Sequence, residues 1–163
     1  MFEVDAAKEA QLFENAVLFG KGLQLINILR DLPEDLRSGR CYIPANVLSE
    51  YNIKPKDLLE QETMDRFQPI YTSYLKKTVD YFNAAASYID MLPFSQFRMR
   101  GACTLPVIIG LKTVTLLQQK NILENENRIK VSRPEVKLMM RQTALALTSR
   151  NRTQKLISLY RDA

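Results

Sequence analysis

The sequence has no histidine and no tryptophan, and only two cysteines and five glycines in 163 residues. Without histidine there is no imidazole general base, and the commonest zinc ligand is missing. Cys41 and Cys103 stand too far apart for a metal-binding or redox pair, so two free thiols in a reducing cytosol are expected. The small glycine count and the absence of tryptophan suit an all-helical chain. Long hydrophobic runs are also lacking. Gly101 to Leu111 is the longest uncharged apolar stretch, is interrupted by Pro106 and ends at Lys112. It falls short of the roughly 20 residues that a membrane span needs. Met1 to Asp5 is acidic and has no apolar core of a signal peptide.

What is present is ordinary for one globular domain over 1–163: 46% hydrophobic residues, 25% charged and a net charge of +5. That excess suits phosphate groups or an anionic membrane surface. Basic residues are scattered apart from Arg150, Arg152 and Lys155, so a nucleic-acid partner is not expected.

Apolar spacing is helical throughout. A helix is predicted from Ala6 to Leu32, kinked or ended at Pro33, where a proline removes a donor and clashes with the preceding turn. Short helices are predicted over 45–51 and 55–61, and long ones over 64–91 and 95–120, the last kinked at Pro106. Residues 121–131 read as a loop. Ser132-Arg133-Pro134-Glu135 is a capping box opening a helix to about Thr148. Polar residues 149–154 read as a break before a final helix over 155–161. The aromatics of the long helices, among them Phe67, Tyr71, Phe82, Phe94 and Phe97, fit either a packed core or the wall of an apolar tunnel. Arg98 and Arg100 fit either a tunnel mouth or the surface.

The densest chemistry lies between Gly20 and Pro44. Asp31 and Asp35 are one helical turn apart, about 6 Å along one face. Taken alone, such a pair reads first as solvated carboxylates at a helix end. Gln24 and Asn27 extend the face, and amides beside an apolar stripe need polar partners, so this face is expected to line a groove. Two carboxylates this close repel unless a cation sits between them. Magnesium, which takes one or two carboxylates and bridges to phosphates, is the natural candidate. Arg30 and Arg40 suit phosphate oxygens through their planar guanidinium groups, whereas Arg37 and Lys21 read as surface charges.

The run Gln24-x-x-Asn27-x-x-Arg30-Asp31-x-x-x-Asp35-x-x-x-x-Arg40-x-Tyr42 resembles the second aspartate-rich segment of the squalene/phytoene synthase family, the head-to-head prenyl-diphosphate synthases. Weaker similarity continues through Leu92-Pro93, Arg98-Met99-Arg100 and Ala102 to Pro106, and reaches Lys130 to Val136. It covers most of the chain but only the C-terminal half of the family's domain. The family holds magnesium between two aspartate-rich segments, and this sequence shows one.

The resemblance implies an all-α fold, part of the isoprenoid-synthase helical bundle without the helices of the first segment. It implies head-to-head condensation of two prenyl diphosphates, farnesyl or geranylgeranyl, with magnesium-assisted ionisation of diphosphate and NADPH if the reaction is of the squalene type. By the same resemblance, Asp31, Asp35 and Tyr42 are catalytic. Gln24, Asn27, Arg30 and Arg40 bind substrate, and Asn27, Asp31 and Asp35 hold metal. A chain with one segment is expected to be incomplete alone. It would assemble as a homo-oligomer or with a partner supplying the missing half, in the cytoplasm with peripheral membrane contact. The alternative is a non-catalytic interaction or assembly protein derived from the same fold.

Overall fold

The computed structural model describes residues 6–124 and 128–162. Six α-helices carry the fold: α1 (Ala6–Arg37), α2 (Ala45–Ser49), α3 (Met64–Met91), α4 (Phe97–Gln118), α5 (Arg133–Ala146) and α6 (Arg150–Arg161). Short 3₁₀ turns lie at Pro55–Leu59, Gln61–Thr63 and Ile122–Glu124. No strand occurs among the described residues. The all-helical expectation therefore holds, and α3 begins and ends where its apolar spacing places it.

Of the kink or end expected at Pro33, the end does not occur. Helix α1 continues through this proline to Arg37. Proline at 33 removes the amide that would donate to the Leu29 carbonyl. The buried hydroxyl of Tyr71 on α3 donates to that carbonyl instead, at 3.2 Å. The lost bond is replaced across the bundle. Helix α4 likewise runs through Pro106 without a break.

The break expected over 149–154 is corrected in extent: it lies at residues 147–149, and Arg150 already opens α6. Ser149 is extended, and Thr153 is fully buried. The Thr153 hydroxyl reaches the carbonyls of Ala146 and Ser149, both at 3.1 Å. A polar residue satisfied in this way can join a helix that Leu156 and Ile157 anchor in the core. The capping box of α5 forms as its sequence dictates: Glu135 accepts the Ser132 amide at 3.1 Å, and the Ser132 hydroxyl accepts the Glu135 amide.

Helix α1 packs chiefly against α3, α3 against α4, and α4 against α5 and α6. Part of the apolar content of α4 is core, with Val107, Ile108, Leu111, Val114 and Leu117 buried in a helix contacted on several sides. The three longest helices meet at Phe82, which is buried between two glycines. A Cβ at Gly110 of α4 would fall 2.3 Å from its ring, and one at Gly22 of α1 would fall 3.4 Å away. Among the aromatics, Phe67, Tyr71 and Phe82 are core, whereas Phe94 and Phe97 are exposed.

Candidate active site

The C-terminal turns of α1 carry both aspartates. Because the helix survives Pro33, Asp31 and Asp35 lie one turn apart on a continuous helix. The chain then reverses at Gly39, whose φ of 75° is left-handed. The Gly39 amide donates to Leu36 O at 2.9 Å and the Arg40 amide to Asp35 O at 2.8 Å, the paired bonds of a Schellman C-cap. This turn returns Arg40 to α1, where its guanidinium lies 3.3 Å from the Asp35 carboxylate. The glycine and the two charges thus act together: the turn makes the pair.

Asp31 is held more tightly. Arg30 Nε donates to its Oδ1 at 2.8 Å and Nη2 to its Oδ2 at 2.9 Å. Arg128, far along the sequence, makes the same two-pronged contact, with Nε at 2.6 Å from Oδ1. Burial alone would push the Asp31 carboxyl up. The hydrogen bonds and positive charges of Arg30 and Arg128 outweigh it and hold the carboxyl below the usual range. Two guanidinium groups therefore supply the positive charge that the closely spaced carboxylates require.

Gln24 and Asn27 lie on the same line of α1 as Asp31, and both are exposed. The groove expected along this face does not form within this chain. The physical reason is visible in the wheel of α1: α3 and α4 cover its opposite side, and Phe13, Val17, Gly20, Gln24 and Asn27 form one uncovered stripe ending at Asp31. The stripe is apolar at Phe13 and Val17, which are 64% and 56% exposed, amide-bearing in the middle and acidic at its end. Tyr42, three residues past the Gly39 turn, is also exposed. Arg37 and Lys21 are exposed, as expected of surface charges.

Arg128 is the site residue that sequence reasoning missed. It sits in a polar stretch with no motif of its own, and only folding brings it to Asp31. Arg98 and Arg100 also separate: Arg98 is exposed and Arg100 fully buried.

The donor set fits magnesium in type, with hard carboxylate oxygens, an ionised Asp31 and an amide one turn before it. Among the described residues no group of three or more His, Cys, Asp or Glu side chains is placed to hold a metal. Two carboxylates would leave the remaining positions to water and phosphate oxygens, and a metal reaching Asp31 must share its oxygens with Arg30 and Arg128.

The squalene/phytoene synthase family profile matches residues 1–135. A 15-cis-phytoene synthase of Enterobacter agglomerans is 27% identical over 152 residues, 92% of this chain and 50% of that protein. A 15-cis-phytoene synthase of Synechococcus elongatus is 37% identical over 79 residues, 48% of this chain and 26% of that protein. A 4,4'-diapophytoene synthase of Staphylococcus haemolyticus is 30% identical over 82 residues, 50% of this chain and 29% of that protein. The chain spans about half the length of the Enterobacter relative, and the other matches cover a smaller share. The chain belongs to the squalene/phytoene synthase family.

Proposed function

We propose that this chain provides the diphosphate-binding half of a head-to-head prenyl-diphosphate synthase. The observation that carries the proposal is the Asp31–Asp35 pair ringed by Arg30, Arg40 and Arg128. Carboxylates for a divalent cation beside guanidinium groups for phosphate oxygens form the donor set that a metal–diphosphate complex demands. Asp31 and Asp35 would hold magnesium with Asn27, and the bound metal would supply charge neutralisation to the departing diphosphate. Arg30, Arg40 and Arg128 would orient its oxygens, and the exposed Tyr42 hydroxyl would reach the same group. The stripe runs about 27 Å back from Asp31 to Phe13, and its far end at Gly20, Val17 and Phe13 would meet the apolar prenyl chain.

An uncovered stripe cannot keep water from an allylic cation. The reading therefore needs a covering element with further metal ligands, from a second copy or from a partner. The relatives' printed activities favour a phytoene-type product, a C40 or C30 hydrocarbon made from geranylgeranyl or farnesyl diphosphate. The test is to incubate the purified chain with each diphosphate and magnesium, with and without NADPH. Diphosphate-dependent binding with little turnover is expected. Robust turnover by a monomer would refute the need for a covering partner. No binding of either diphosphate would leave the non-catalytic assembly role as the reading.

A further inference from the structure

Arg100 carries a positive charge into the protein with no carboxylate to balance it. It lies in the opening turns of α4 and is fully buried. A guanidinium has five N–H donors and stays protonated at any ordinary pH. Its Nη2 reaches the Thr153 hydroxyl of α6 at a long 3.5 Å. That hydroxyl is itself turned to the carbonyls of Ala146 and Ser149. Nε and Nη1 have no hydrogen-bond partner among the described residues. Each edge of the planar fork therefore keeps an unmet donor, which a buried charge tolerates poorly. Two charged groups act on it: Arg150 opposes its charge and Asp90 favours it. Asp90 is half-exposed and already engaged by Arg150 at 3.6 Å. Glu9 and Glu14 of α1 also lie toward this end of the bundle, but both are exposed.

The backbone adds to the imbalance. Arg100 is the fourth residue of α4 and Thr153 the fourth of α6, so their contact joins the first turns of two helices. Neither helix has a side-chain cap, and neither first turn holds an acidic residue. Two positive dipole ends thus meet at a buried cation, the reverse of what helix electrostatics favours. Arg150, the first residue of α6, donates to the Leu92 carbonyl at 2.8 Å and brings a second guanidinium to the same corner. One anion would answer all of these charges together. What lies over Arg100 is Phe94, whose ring centroid is 5.4 Å from the guanidinium carbon. Phe94 is 50% exposed, on a turn that the Gln96 amide closes by donating to Pro93 O at 3.0 Å.

We propose that Arg100, with the first turns of α4 and α6, forms a binding site for a phosphate-class oxyanion, and that Phe94 is its lid. A tetrahedral anion presents oxygens in several directions and can meet both edges of the fork, whereas a planar carboxylate covers one edge. Phe94 turns outward to admit the anion, so a ring contact is exchanged for charge-assisted hydrogen bonds. Pro93 and Met99, on either side of the lid, line one cavity with Leu12 of α1. Leu12 lies 19 residues before Asp31, about 28 Å along the helix axis. The site is therefore remote from the Asp31–Asp35 pair and does not rest on the function proposed for it.

The test uses the full chain in magnesium-free, phosphate-free buffer. Inorganic phosphate should raise the Tm progressively, beyond sodium chloride at matched ionic strength and beyond acetate. Glycerol phosphate is the parallel arm: tighter binding than inorganic phosphate assigns the site to a phosphorylated metabolite, and weaker binding assigns it to the free ion. Arg100→Met should raise the Tm without phosphate, because it removes a buried unpaired charge, and should weaken phosphate binding about tenfold or more. The sequence has no tryptophan, so Phe94→Trp places a single indole on the lid. Its emission should change saturably with phosphate and should not change once Arg100→Met is added. Should Arg100→Met fail to fold, the Phe94→Trp titration decides alone. A Tm that phosphate raises no more than chloride or acetate would overturn the proposal. So would a phosphate response that Arg100→Met leaves intact, or one that Asp31→Asn removes, since the ion would then sit at the aspartate pair. An indole silent through a full phosphate titration would also refute it.

Discussion

The Tyr71 hydroxyl donates to the Leu29 carbonyl at 3.2 Å, and this carbonyl is the acceptor that Pro33 leaves without its helical donor. One long-range hydrogen bond between α3 and α1 thus keeps the helix continuous under the aspartate pair. Both partners are fully buried, so the bond has no water to replace it.

Tyr71→Phe should therefore cost about 1–3 kcal/mol, the penalty for a buried carbonyl without a partner. In a Pro33→Ala background the helical amide returns, and the same change should cost measurably less. A double-mutant cycle by urea denaturation reads the coupling. Additive costs would show that the hydroxyl does not compensate for the proline.

Gly110→Ala should destabilise the bundle by about 1–3 kcal/mol, although alanine is the better helix former. Its Cβ would lie 2.3 Å from the Phe82 ring, and that ring is hemmed in by Gly22 on the other side. Phe82→Leu added to Gly110→Ala should recover part of the loss. Thermal melts of the two variants compare them directly.

Asp31 should make the fold acid-sensitive. Arginine pairing holds its folded-state carboxyl below the ordinary value of 3.8. Its contribution is therefore complete above that ordinary value and is lost as pH falls through the lower folded value. Stability measured from neutral to strongly acidic pH should fall more steeply in the unaltered chain than in Asp31→Asn. The partly exposed pair limits the difference to about 1 kcal/mol or less. Parallel curves would remove Asp31 from the acid response.

Magnesium and inorganic diphosphate should raise the Tm together by more than the sum of their separate effects, through linked binding to one site. Asp31→Asn and Asp35→Asn should each abolish the excess. Magnesium alone should shift the Tm little, because Arg30 and Arg128 already occupy both Asp31 oxygens. Arg128→Gln should therefore strengthen the response to magnesium alone and weaken the response to diphosphate. A synergy untouched by the aspartate substitutions would place the ligands elsewhere.

Much of this protein was set by local sequence. The apolar periodicity of Met64–Met91 defined α3 to the residue, Ser132 and Glu135 defined the start of α5, and the spacing of Asp31 and Asp35 on a helix placed two carboxylates on one face. These features depend on neighbours within a few residues, which the chain order already contains. The tertiary structure alone decided the rest, because it turns on groups distant in sequence. Tyr71 decided whether Pro33 ended α1, and Arg128 reached Asp31 only through folding. Which side of α1 was buried was decided by where α3 and α4 packed, so Gln24 and Asn27, expected to line a groove, stand uncovered in this chain. Periodicity shows that a helix has an apolar face. The packing of other elements determines how much of its surface is covered, and that coverage is a property of the assembled fold.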